Sequence, residues 1–419
     1  MSAAERRGVM ARRPVWSWAL IDWGNSAFAT TVMAGFFPVF FKQYWSAGVP
    51  VTETTFRLGV ANGIASALIA LGAPLLGAIA DRAGRRMFLL ILATFLGASM
   101  SAALYWVGQG QWQWATACYV VAALGFWWNS QFCDSLLTDV AVEAEYDFVS
   151  AYGYALGYLG GGLLFIVNVL MVTQPAWFGL QDAAEGVRLS FLTVGVWWVV
   201  FTVPAMLFVR ETRPLVRPGV LLAMREGVRE LLATLRGLRQ QQALLAFLLA
   251  YWFYIDGVNT VIKMAVDYGL SIGLPSAALL KALLLTQFVA FPAALGFGVI
   301  GRKLGPRNGI FIAIAVYTAA TFGAAFLHTE GEFYVMAVVI GLVQGGIQSL
   351  SRSYFGRLVP AGRAGEYFGF YNMMGKFASI LGPMLAGVTA LLTHDPRLSI
   401  VSIAVLFVIG AALLTRVPP

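Results

Sequence analysis

Hydrophobic residues in this chain gather into long runs, and twelve of them approach the roughly 20 apolar residues needed to cross a bilayer. They lie near 16–41, 57–79, 87–107, 113–136, 150–173 and 189–209, and again near 243–266, 276–300, 309–327, 333–351, 366–391 and 397–415. The pattern predicts an all-α integral membrane protein of twelve transmembrane helices. The first run follows a basic stretch, as a signal peptide would. It is too long for a signal-peptide core and ends in Lys-Gln-Tyr-Trp without a small-residue cleavage site, so it is expected to be retained.

Composition agrees. Of the 419 residues 59% are hydrophobic and 11% charged, whereas a soluble domain carries roughly 25% charge. The net charge of +8 would suit a nucleic-acid partner, but the basic residues sort by side of the membrane. With the N-terminus inside, the inner segments hold arginines at 6–13, 82–86 and 210–239, together with Arg302, Lys303, Arg307, Arg352, Arg357, Arg363 and Arg416. The outer segments hold Lys42, Arg57, Arg188, Lys263 and Arg397. This positive-inside bias places both termini in the cytoplasm and argues against nucleic acid. One inner loop, with Asp139, Glu143, Glu145 and Asp147, is acidic, which weakens the rule little.

Internal repetition divides the chain. Ile-Asp-Trp-Gly-Asn-Ser at 21–26 is echoed by Ile-Asp-Gly-Val-Asn-Thr at 255–260, and GAIADRAGRR at 77–86 by GVIGRKLGPR at 298–307. Such repeats predict two pseudo-symmetric six-helix bundles, 1–209 and 243–419, joined by a linker at 210–242. The linker places leucines at helical spacing among Arg225, Arg229, Arg236 and Arg239. It reads as an amphipathic helix, either on the inner membrane surface or solvated.

The loop Gly77–Arg86 has the form GxxxDRxGRR, with Gly77, Asp81, Arg82, Gly84, Arg85 and Arg86 as its fixed positions. Its glycines suit close helix approach, and Asp81 suits the positive N-terminal end of a helix. In this loop the chain resembles the major facilitator superfamily, in which it latches the two halves on the cytoplasmic side. The second copy has Arg302 where the acid should be, so an acid-dependent latch belongs to the first half. Gly153, Gly157, Gly161 and Gly162 follow a spacing associated with antiporters, but Tyr158 stands at the usual proline position, and close helix packing explains the glycines equally well. Gly375, Gly382, Pro383 and Gly387 suggest a deformable eleventh span.

Ionisable groups inside spans mark pathways or pairs, because a charge near the bilayer centre costs at least about 2.5–3.5 kcal/mol. Asp22, Asp256, Lys263, Asp267 and Lys376 are such groups. Asp22 with Asn25, and Asp256 with Asn259, share a helix face at three-residue spacing. The aspartates are candidate proton or substrate-amine sites, the amides candidate solute ligands, and Lys376 a candidate carboxylate partner. A purely structural pairing of Asp22 or Asp256 with Lys376 or another base is the alternative. Lys263 and Asp267, at i and i+4, read as an outer salt bridge. Gln344, Gln348, Tyr152, Tyr154, Tyr371 and Asn372 are candidate cavity-lining residues.

Enzyme signals are spurious. Gly296, Gly298 and Gly301 satisfy a bare GxGxxG at the end of an apolar helix, and Gly375-Lys376 lacks the rest of a P-loop. No cofactor or metal site is expected, and Cys118 and Cys133 read as packing residues. DWGNSAFATTVMAGFFPVFF at 22–41, VSAYGYALGYLGGG at 149–162, GGIQSLSRSYFGRLVP at 345–360 and GEYFGFYNMMGKFASILGP at 365–383 are similar to the bacterial branch of the vacuolar amino-acid effluxer family. That resemblance implies a non-enzymatic transporter working by alternating access as a monomer. The implied task is amino-acid efflux, proton-linked or facilitative, across a cytoplasmic or vacuolar membrane. A proton-coupled exporter of drugs or amphiphiles, a sensor and a lipid-handling protein are the alternatives.

Overall fold

The computed structural model describes residues 3–49, 51–211 and 241–418 apart from 361 and 379, with a few helical positions between 225 and 237. The linker expected at 210–242 therefore falls largely outside the described residues. The described chain is helical and holds no strand.

In the first half, α1 (Arg13–Ala27) continues through wider π-helical turns at Phe28–Phe36 and Phe41–Trp45. It is followed by α2 (Val51–Ala83), α3 (Arg86–Ala103), α4 (Trp112–Val140), α5 (Tyr146–Thr173) and α6 (Ala183–Phe208). The second half comprises α7 (Gln242–Ser271), α8 (Ser276–Leu304), α9 (Pro306–Ala324), α10 (Glu330–Leu358), α11 (Ala364–Phe377), α12 (Leu381–Thr393), α13 (Pro396–Ser402) and α14 (Ala404–Leu414). Among the described residues, ten helical segments are long and apolar enough to span a membrane. α4 and α9 fall outside that set: Gln113, Asn129, Gln131 and Asp134 dilute the first, and the second opens on Pro306-Arg307-Asn308.

The eleventh apolar run is two helices. α11 closes at Ala378, whose ψ of 33° departs from helical geometry, and α12 begins at Leu381. The deformability expected from the glycines and Pro383 is thus realised as an interruption a few residues before Gly382.

Buried apolar clusters divide with the halves. One gathers residues from Leu244 to Val417, and the others lie between Val9 and Val209. α1, α3 and α6 pack substantially only within the first half, and α7, α9 and α12–α14 only within the second. The halves join through α2 against α11, α5 against α8 and α10, and α4 against α11. Small residues permit these crossings: a Cβ on Gly77 would lie 2.1 Å from the Gly365 carbonyl oxygen, and one on Gly298 would lie 2.7 Å from Ala151. Both repeated loops turn on a left-handed glycine, Gly84 at φ 59° and Gly305 at φ 83°. The end of the molecule bearing these loops is called the basic end below.

Candidate functional site

The junction is centred on Arg352 of α10, which is 1% exposed. Its Nη1 donates to Asp22 of α1 at 3.1 Å and to Asp134 of α4 at 3.0 Å. Its Nε donates to the Ser150 hydroxyl at 2.9 Å, and its Nη2 to the Ser150 carbonyl at 2.8 Å on α5. The guanidinium also lies over the Tyr154 and Trp18 rings, 4.2 and 4.9 Å from their centroids, a favourable use of its planar charge. Gly153 makes the insertion possible, since a Cβ there would stand 2.7 Å from the Asp22 carboxylate and 2.9 Å from the Arg352 guanidinium. One cation of the second half is thus clasped by two acids of the first. Asn372 of α11 donates to the other Asp134 oxygen at 3.1 Å, and Tyr158 of α5 donates to Gln348 of α10 at 2.8 Å.

Two further acids fasten the basic end. Asp81 accepts the Gly365 and Glu366 amides at 3.0 and 2.8 Å, so its carboxylate meets the positive N-terminus of α11. Asp147 of α5 accepts from Arg357 of α10 at 2.8 and 2.9 Å and from Ser353 at 2.6 Å. Arg86 stays within the first half, bound to Asp139 at 2.9 Å and facing Asp81 at 3.5 Å. Arg82 pairs with Glu226 of the linker at 2.5 Å. Arg85 bonds through its amide to Ala80 at 3.0 Å, closing the turn at Gly84.

The sequence candidates separate by location. Asp22 and Asn372 enter the central cluster, and Gln348 reaches across the halves beside it. Gln344 is 8% exposed and lines an apolar cavity of about 80 Å³ within the second half. Tyr371 stacks on Tyr251 with centroids 4.2 Å apart, and Tyr152 packs against the first-half core. Asn25 donates to Asn129 at 2.8 Å inside the first bundle, in a relay that continues from Asn129 to Thr94. Asn259 donates to the Ala378 carbonyl at the break, at 3.3 Å. The side chain of Asp267 lies outside the described residues.

Asp256 is bonded to backbone amides and a hydroxyl instead of to Lys376. It accepts the Leu381 and Gly382 amides at 3.0 and 2.9 Å and the Thr260 hydroxyl at 3.2 Å, capping α12 where the span is interrupted. Asp256→Ala is therefore expected to lower thermal stability by about 1–2 kcal/mol, the worth of an N-cap, with Asp256→Asn losing less. Melting curves of the purified variants check this.

Two central residues escaped the sequence reading. Asp134 fell near the predicted end of the fourth run, and Arg352 was counted among the inner topology anchors. Its burial corrects that assignment: α10 runs on to Leu358, which puts Arg352 inside the helix packing. Gln344, Gln348 and Arg352 recur every four residues, so one helix face carries all three. Three fifth-span glycines sit against α1, whereas Gly162 makes only an ordinary contact with Gln287. Gly157, Gly160 and Gly161 each face Trp23 or Ser26 of α1 at distances no Cβ would easily tolerate.

Comparison with known proteins fits this architecture. The family described as "Vacuole effluxer Atg22 like" matches residues 47–145 and 138–418. An uncharacterized MFS-type transporter of Bacillus subtilis, YxiO, is 37% identical over 96% of this chain and 94% of its own. Autophagy-related protein 22 of Yarrowia lipolytica is 27% identical over 59% of this chain but only 46% of its own length. The fold resembles the human organic anion transporter MFSD10, with a TM-score of 0.75 at 16% identity over 96% of this chain and 99% of that one. It also resembles the proton:xylose symporter XylE, with a TM-score of 0.70 at 13% identity over 100% and 97%. The chain is a multi-pass membrane protein of the major facilitator type and belongs to the Atg22-like effluxer family of non-enzymatic transporters.

Proposed function

We propose that this protein carries small solutes, amino acids foremost, out of the cytoplasm by alternating access, and that a proton bound at the Asp22–Asp134 pair drives the cycle. The observation that carries this reading is the clasp of Arg352 by two acids of the opposite half. Two carboxylates and one guanidinium leave one negative charge in a buried place, and a proton is the simplest neutraliser. Protonating one aspartate removes one arm of the clasp and eases separation of the halves at the basic end. The opposite end would then open for solute entry or exit as the latched end closes. The basic end would face the cytoplasm, in keeping with the distribution of arginine.

Counterflow of labelled leucine and tyrosine into sealed proteoliposomes, with and without an imposed pH gradient, tests the proposal. Trans-stimulated uptake that accelerates with the gradient is expected. Asp134→Asn should keep exchange while losing most of the gradient's effect, because the amide mimics the protonated acid and cannot take up or release a proton. Uptake of hydrophobic dyes in place of any amino acid would transfer the site to amphiphile export. Undiminished pH stimulation in Asp134→Asn would remove Asp134 as the proton site.

A further inference from the structure

Lys376 of α11 is a cation at the junction that has no acid partner among the described residues. Its Nζ lies 3.2 Å from the centroid of the Trp127 indole on α4, across the junction of the halves. Its contact is with the ring face, and among the described residues no carboxylate pairs with it. The nearby acids are already engaged: Asp256 caps α12, and Asp22 and Asp134 hold Arg352. The Trp127 indole N–H is itself buried without an acceptor. The Lys376 ammonium therefore rests on a ring face from the opposite half with no carboxylate partner, beside an indole N–H that is buried without an acceptor. An anionic oxygen would complete it, as charge-assisted bonds are the strong ones in such surroundings.

We propose that Lys376 and the Trp127 indole N–H form an anion subsite that receives a carboxylate of the solute. The subsite rests on the transport reading for its purpose, and it narrows the substrate to solutes bearing a carboxylate. Because its two donors come from different halves, occupancy ties solute binding to the approach of α4 and α11.

The test compares leucine and tyrosine with leucinamide and tyrosinamide as stabilisers of the purified full-length protein in detergent, read by thermal shift over a concentration series. The acids should bind at least about tenfold more tightly than the amides. Lys376→Gln should weaken acid binding about 10- to 100-fold and leave the amides within about twofold. Lys376→Arg should keep the preference, and Trp127→Phe, which retains the ring and loses the N–H, should weaken the acids several-fold. Equal binding of acids and amides, binding of neither, or an intact acid preference in Lys376→Gln overturns the subsite. Should Lys376→Gln fail to fold, the Trp127→Phe variant and the acid-to-amide ratio of the unmodified protein decide. Acid-selective binding without movement across sealed vesicles would overturn the transport reading alone. Counterflow of leucinamide as fast as leucine would overturn the subsite alone.

Discussion

Arg352→Leu is expected to abolish transport and to destabilise the folded chain by about 3–5 kcal/mol, the usual cost of removing one partner from a buried ion pair. The substitution leaves Asp22 and Asp134 facing an apolar side chain and removes the bonds from Arg352 to Ser150. Lysine cannot replace it, because one ammonium lacks the fork that reaches two carboxylates and a serine at once. Arg352→Lys should therefore recover part of the stability and little of the transport. Melting temperature and leucine counterflow, measured on the same preparations, separate the two effects. A Leu variant that melts normally and still transports would show that the clasp is dispensable.

Gly77→Val is expected to cut transport to a few per cent by a different route. The glycine faces the Gly365 carbonyl so closely that any Cβ must push α2 from α11, and these helices form much of the junction at the basic end. The same displacement pulls Asp81 from the Gly365 and Glu366 amides. The variant should thus fold and remain trapped with its basic end open. Accessibility of single cysteines placed on α2 and α11 to a membrane-impermeant thiol reagent, applied from each side, would register the shift. Unchanged accessibility together with normal counterflow would mean that the close crossing has no part in gating.

The membrane class, the paired repeats and the loop at 77–86 were legible in the sequence because each depends on local composition or short spacing. Asp81 is an instance: an acid at the end of one helix, with glycines beside it, announces a close approach to another helix start. What one sequence could not supply was which face of a span meets which partner. Asn25 and Asn259 repeat the same spacing beside Asp22 and Asp256, yet one turns into the first bundle and the other toward a helix break. The repeat hid a difference of role, since Asp22 joins the two halves whereas Asp256 caps a helix within one of them. Arg352 was hidden by the positive-inside rule itself, which treats an arginine near a helix end as a topology anchor. Only a partner acid on another helix reveals it as an interior charge, and Asp134 stands 218 residues away in the chain.

Every ion pair described between the halves has the same sense, and so does the capping of α11 by Asp81. Asp22, Asp81, Asp134 and Asp147 belong to the first half, and Arg352, Arg357 and the α11 amides belong to the second. The mating surfaces are therefore electrically unlike, even though the bundles that carry them are related by repetition. Two first halves placed together would oppose acid to acid, and two second halves base to base. During synthesis the first half is complete while its counterpart is still being made, and in a crowded membrane identical neighbours lie close by. Its acidic face discourages pairing with those neighbours and reserves the surface for the half that follows on the same chain.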